Sequence, residues 1–282
     1  MVIIGHVGQT IPGLRVFTPL GAIGVGVFLV CSGYGIEKSF NKNGRDKYWY
    51  KRMVNVWLPY VIVETLFLPL HWNLNWIDLL KDFTLVQPLH PFGWYMRFLF
   101  AWYILFYVFS FLEKYKLHLL LLSAVCVWVL TDSLHAQNAF SFSIGVLMAQ
   151  MKDVSPFLKK RYIWIGLFGG VLLFLGRDYV KVHCHNVDLL WKGVSLFYYG
   201  VLTMTMIIVY KILSNKGVKL PYSGLFIVGA FSYELYLVHG YAYSILITPA
   251  SVLMITEFVI VCIIGTYLLN RFNKVVVNAL QK

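Results

Sequence analysis

Six ionisable side chains stand inside or at the ends of apolar stretches of this chain: His6, Glu64, Arg97, Glu234, His239 and Glu257. Such a group is costly in hydrocarbon, so each position asks for a partner or a task. His6 is the strongest candidate for chemistry. It ends the first apolar stub beside Gly5 and Gly8, small neighbours that let a substrate approach an imidazole closely. An imidazole titrating near neutrality is the usual general base for taking a proton from a hydroxyl. A solitary histidine in such a place also serves as a hydrogen-bonded structural residue, and His6 alone does not separate the two. Glu64 and Glu257 read as buried hydrogen-bond partners or helix-end residues. Glu234 is the carboxylate available to orient His6, should that ring need a partner.

Two further segments carry polar groups in a pattern. Gly24 to Gly35 forms a glycine-studded helix that packs tightly and brings Ser32 and Tyr34 to its end. Lys47-Tyr48-Trp49-Tyr50-Lys51-Arg52 combines charges and rings that suit lipid headgroups, or the phosphates and adenine of a nucleotide-like ligand. His183-Cys184-His185, with Asp178 and Asp188 nearby, has the residue types of a metal site but not its four-ligand spacing, so no metal is expected. Gly166-x-x-x-Gly170 has the spacing that lets two helices approach closely.

The elements that position these residues follow from composition. The 282 residues are 59% hydrophobic and 13% charged, with mean hydropathy +0.71, which no soluble core of this size can absorb. The bilayer is the expected solvent and lipid the first partner. The net charge of +12 does not indicate nucleic-acid binding, because the basic residues sit in short loops between apolar runs. The four cysteines show no paired spacing, which argues against a disulfide framework. The apolar start has no basic region before it and no small-residue cleavage site after it, unlike a cleavable signal.

Charge-free runs fall at about 1–8, 20–37, 53–70, 94–112, 117–133, 136–151, 161–177, 188–212, 224–248 and 252–270. The fold expected is an all-α, polytopic transmembrane helix bundle of about ten helices, organised as a single domain over 1–282. Alternating the loops collects 18 of the 24 basic residues on one side, which makes that side and both termini cytoplasmic by the positive-inside rule. Trp94-Tyr95 and the other ring clusters near run ends fit the membrane interface.

In this order the residues resemble membrane-bound acyltransferase family 3. The likeness runs from about residue 1 to 270. It rests on His6, on Gly24 to Tyr34 with its Phe-x-x-x-Ser-Gly-Tyr core, and on Lys51-Arg52 before Pro59-Tyr60. Gly93-Trp94-Tyr95 and Ser232-Tyr233-Glu234-Leu235-Tyr236-Leu237-Val238-His239 complete it. The resemblance implies a ten-helix enzyme of the cell membrane that moves an acyl group, usually acetyl from cytoplasmic acetyl-CoA, onto a hydroxyl of a carbohydrate or similar acceptor of the envelope. It implies that His6 is catalytic and that Lys51 and Arg52 bind the donor. Ser32, Tyr34, Trp94, Tyr95, Tyr236 and His239 are motif positions expected to form the pocket, with Glu234 among them. Acetyl-CoA enters as co-substrate, with no resident cofactor.

The chain departs from the family pattern at three places. Only five residues precede His6, so the expectation is that helix one lacks its N-terminal part. Gly26 stands where many members are acidic, and Asn55 where a basic residue is common. The residues allow two mechanisms, His6 as general base or an acyl-histidine intermediate. They also allow two other readings, a polytopic transporter or a catalytically degenerate family scaffold. A transporter would show midplane helix breaks and matched halves, and neither is evident.

Overall fold

The computed structural model describes residues 1–71, 74–153, 156, 159–184, 187–215, 229, 231–247 and 250–280. Among them the chain is all-helical and has no strand. In chain order the helices are α1 (Val2–Thr10), α2 (Pro19–Asn43), α3 (Tyr48–Arg52), α4 (Leu58–Phe67), α5 (Trp76–Phe83), α6 (Gly93–Phe109) and α7 (Lys116–Leu130). They continue with α8 (Ser133–Ala136), α9 (Ser141–Gln150), α10 (Arg161–His183), α11 (Asp188–Asn215), α12 (Ser232–Ala242) and α13 (Val252–Leu280).

Five stretches are long and apolar enough to cross a bilayer: Arg15–Asn43, Gly93–Leu112, Arg161–His183, Asp188–Leu213 and Val252–Ala279. They answer to five of the ten charge-free runs. The other five are shorter or interrupted where they are described, so the structure does not establish a count of ten. Run 53–70 passes through a π-helical turn over Met53–Trp57 before α4. That wider turn suits Pro59, which has no N–H to give and whose ring crowds the preceding turn of an α-helix. Run 136–151 breaks between α8 and α9. Run 224–248 lies partly outside the described residues, and its described helix is α12.

The chain forms two compact units, each drawn from separate stretches of sequence. The first comprises Met1–Val2, Pro19–Gly44 and Leu99–Val218. Its centre is the pairing of α2 with α9, made backbone to backbone. A Cβ on Gly33 would lie 2.1 Å from the Phe142 carbonyl oxygen, and one on Gly145 2.1 Å from that of Val30. The glycines of the second run therefore do what their spacing suggests. Gly166 and Gly170 act alike between α10 and α11, where added Cβ atoms would meet Thr205 Oγ1 at 1.9 Å and Leu202 Cδ2 at 2.8 Å. The opposite face of α10 exposes Trp164, Ile165, Phe168, Val171 and Leu172, an apolar surface that suits lipid contact.

A buried ion pair and an apolar cavity sit inside this unit. Lys116 pairs with Glu37 at 2.7 Å, both buried, and Gln150 Nε2 donates to the other Glu37 oxygen at 3.0 Å. A lysine on the first turn of α7 opposes the helix dipole, and the Glu37 carboxylate and the Phe40 and Phe106 rings over its ammonium offset that. A cavity of about 650 Å³ opens among α7, α9, α10 and α11. Its walls are almost wholly apolar and include Trp128, Phe140, Leu196 and Met204, with no histidine among them.

The second unit comprises Ile3–Thr18, Arg45–Phe98 and Lys219–Lys282. Here α12 packs on α13 and α4. Ala242, Leu246, Phe258 and Cys262 form a buried apolar cluster, with Ile3 and Val7 of α1 against it. Helix α5 starts at Asn75, whose side chain accepts from the Asp78 N–H at 2.9 Å as an N-cap. It turns Trp76, Ile77 and Leu80 outward and Asp82 inward, an inverted arrangement that fits a helix at the bilayer surface.

Candidate active site

His6 lies on α1, which ends where the chain folds back through Gly13 (φ +86°) and a 3₁₀ turn over Arg15–Phe17. That return is close. A Cβ at Gly8 would stand 2.8 Å from the Leu14 carbonyl oxygen, so glycine is needed there for contact. The Ala250 N–H donates to the Thr10 carbonyl at 3.0 Å and ties the end of α1 to the segment before α13.

Around His6 stands a cluster of rings. Phe92 stacks on the imidazole at 4.0 Å between centroids and 20° between planes. His239 lies 5.6 Å away and Tyr243 meets it edge-on at 5.7 Å. Phe92 also stacks on His239, at 5.1 Å and 15°. Each such pair adds about 0.5–1.5 kcal/mol beyond the burial itself, which makes Phe92 the piece that holds the two histidines together. The His6 ring makes no hydrogen bond among the described residues and is only half-buried, so it is open to a reactant.

Phe92 is held in turn by His90, in the loop between α5 and α6. The Phe92 N–H donates to His90 Nδ1 at 3.1 Å, and His90 Nε2 donates to the Leu237 carbonyl at 2.8 Å. An amide only donates and a carbonyl only accepts, so the two contacts assign the neutral ring with its proton on Nε2. Burial pushes the pKa of His90 down to about 4, and the Leu237 carbonyl pulls weakly the other way. Gly240 makes room for this ring, since a Cβ there would lie 2.2 Å from His90 Cε1. Tyr236 closes the arrangement, its hydroxyl donating to the Phe92 carbonyl at 2.5 Å and its ring meeting Tyr95 edge-on at 5.2 Å.

Below His90 lies a buried carboxylate pair. Tyr241 donates to Glu64 Oε2 at 2.6 Å and Tyr60 to Asp82 Oδ1 at 2.5 Å. The Leu89 N–H donates to the same Asp82 oxygen at 2.8 Å. Glu64 is thus a hydrogen-bond partner in a network that anchors the His90 loop, as the structural reading of it expects. Glu257 is exposed.

Of the residues singled out from sequence, His6, Tyr95, Tyr236 and His239 meet in this cluster. Trp94 is its half-buried neighbour, against Tyr95 at 6.3 Å. Glu234 accepts from Asn270 Nδ2 of α13 at 2.9 Å, which makes it a clamp between α12 and α13. Tyr233 bonds the Val56 carbonyl in the π-turn at 2.6 Å. Arg52 is buried, donates to the Tyr48 carbonyl at 3.1 Å and lies over the Tyr48 ring, while Lys51 is half-buried on the same short helix. Ser32 and Tyr34 belong to the first unit. Ser32 is half-buried, and Tyr34 is exposed under the Lys38 ammonium.

His90, Phe92, Tyr241 and Asp82 were not among the sequence candidates. A histidine three residues before Gly93 of the Gly93-Trp94-Tyr95 motif was the available signal. Among the described residues no group of three or more histidine, cysteine, aspartate or glutamate side chains is arranged to hold a metal. His185 lies outside them, and His183 Nδ1 donates to the Tyr179 carbonyl at 3.1 Å.

No curated protein and no solved structure matches this chain. A family model does, that of the acyltransferase domain of acyltransferase family 3, over residues 1–269. With almost the whole chain inside that match and His6 set in an open cluster of rings among apolar helices, the protein belongs to acyltransferase family 3 and is a membrane acyltransferase.

Proposed function

We propose that the protein transfers an acetyl group from cytoplasmic acetyl-CoA to a hydroxyl of a cell-envelope carbohydrate, with His6 as the general base. The observation that carries this reading is the state of His6. Its ring is fixed in place by Phe92 and Tyr243, yet it makes no hydrogen bond among the described residues and is half-open. A base held in position and left unoccupied is what hydroxyl activation requires, since most of the rate comes from presenting both reactants in the correct geometry.

The other roles follow from the family. Lys51 and Arg52 contact the donor phosphates, and Trp94, Tyr95 and Tyr236 form the pocket beside His6; Ser32 and Tyr34 are pocket-forming positions by the family pattern alone. Glu234 supports α12. Multi-pass insertion in the cell membrane with both termini cytoplasmic is supported by the one-sided distribution of basic residues. The experiment is incubation of membranes containing the protein with acetyl-labelled acetyl-CoA and envelope glycans. Label in the glycan fraction, released as acetate by mild base, supports O-acetyl transfer. Label in lipid alone, or none anywhere with the protein correctly inserted, overturns the proposed acceptor or the activity respectively.

A further inference from the structure

Three imidazoles belong to this one cluster, and their hydrogen bonds assign different protonation to two of them. His90 uses both ring nitrogens, as described above. His239 uses one. Its Nδ1 faces the carbonyls of Tyr236 at 2.6 Å and Leu235 at 3.2 Å, which can only accept, so Nδ1 carries the proton. In the neutral ring Nε2 is then a bare lone pair. The side chain is fully buried, and Nε2 has no partner among the described residues. A buried acceptor left empty is costly and uncommon, and it asks for an explanation. The other imidazole beside it is His6, at 5.6 Å between centroids. At that centroid separation, nitrogens that face each other across the gap come close to hydrogen-bond reach.

We infer that His239 is the positioning residue of the transfer, taking at Nε2 the proton that His6 relays from the acceptor hydroxyl. This rests on the reading of His6 as the base. As the hydroxyl oxygen forms its bond to the thioester carbonyl carbon, its proton passes to one nitrogen of His6. The proton on the other His6 nitrogen passes to Nε2 of His239. When the tetrahedral intermediate collapses and the C–S bond breaks, the coenzyme A thiolate leaves with the electron pair and takes a proton back by the same route. Both imidazoles end neutral, and the products are the acetyl ester and the free thiol.

Two features of the fold work against the burial cost of a proton on His239. Two carbonyl oxygens already point at Nδ1, and the residue lies in the last turn of α12, where the helix dipole favours a cation. Phe92, stacked on both rings, keeps them in register.

The test uses His239→Asn, whose amide keeps a donor near the Nδ1 position but has no base at Nε2. With wild-type membranes and labelled acetyl-CoA, the inference predicts a kcat about 100-fold lower with an unchanged KM for acetyl-CoA. It also predicts a proton inventory in mixed H₂O and D₂O that is bowed for the wild type, where two protons move, and linear for the variant. A wall residue would change KM, or nothing, and would leave the inventory alone. Wild-type kcat in His239→Asn together with loss in His6→Ala overturns this inference and leaves the function standing. Activity retained in His6→Ala overturns both. Should His239→Asn fail to accumulate, ¹⁵N-histidine spectra of the wild-type protein in nanodiscs decide: a bare Nε2 on His239 supports the inference, and a protonated one overturns it.

Discussion

Replacing Gly240 by alanine should be among the most damaging small changes in the second unit, although alanine is the better helix former. The new Cβ would lie 2.2 Å from His90 Cε1 and 2.6 Å from Nε2, so the imidazole must leave its place. It would give up the bonds to the Leu237 carbonyl and the Phe92 N–H. Each buried group left unpaired costs about 1–3 kcal/mol, and the gain from alanine in a helix returns only about 1 kcal/mol. The net expected loss is about 3 kcal/mol. Released from His90, Phe92 loses its register against His6, so transfer should fall with stability. The assay is a thermal melt in nanodiscs for Gly240→Ala, His90→Ala and the double variant, with acetyl transfer measured on each. With His90 already removed, Gly240→Ala should be neutral or stabilising by up to about 1 kcal/mol, a coupling that isolates the contact. If Gly240→Ala melts at or above the wild-type temperature with full activity, the assignment of His90 as the anchor of Phe92 is wrong.

Three other outcomes follow from the same geometry. His90, with a folded pKa near 4 against an ordinary 6.5, binds its proton first in the unfolded chain. Its contribution is therefore fully present above about pH 6.5 and is lost as the pH falls towards 4, on the order of 3 kcal/mol in all, a slope that should be shallower in His90→Gln when unfolding is followed across that range. Gly33→Ala should prevent accumulation in the membrane because its Cβ meets the Phe142 backbone at 2.1 Å, whereas Gly35→Ala, with nothing within 4 Å, should accumulate normally; quantitative blotting of membranes compares the two. Lys116→Ala should cost about 3–5 kcal/mol in the same melts by leaving the buried Glu37 carboxylate without its counter-charge and with only the neutral Gln150 amide, and Glu37→Leu with Lys116→Leu should recover most of it.

Composition and charge placement made the all-α membrane class legible, and the motif order made the family legible, because both depend on residue type along the chain. The helix lengths were not legible in the same way. A charge-free run marks residues that tolerate lipid, but it does not show where backbone hydrogen bonding changes. The π-turn at Met53–Trp57 and the break between Ala136 and Ser141 carry no charge to announce them. At the site, His6 and His239 were found as ionisable groups in apolar runs. His90 escaped the same search because it lies between runs, and its role depends on a contact with Leu237, 147 residues away. Glu234, read as a possible partner for His6, turns instead to Asn270, a choice set by the packing of α12 on α13 that no local pattern reveals.

The central claim is that His6 activates the acceptor, and it is tested most directly by comparing wild type with His6→Ala in membranes matched for inserted protein, following labelled acetyl from acetyl-CoA into glycan. The account predicts label with the wild type and a loss of at least about 100-fold with the variant, while insertion and melting stay close to wild type. Transfer by His6→Ala at the wild-type rate would contradict it.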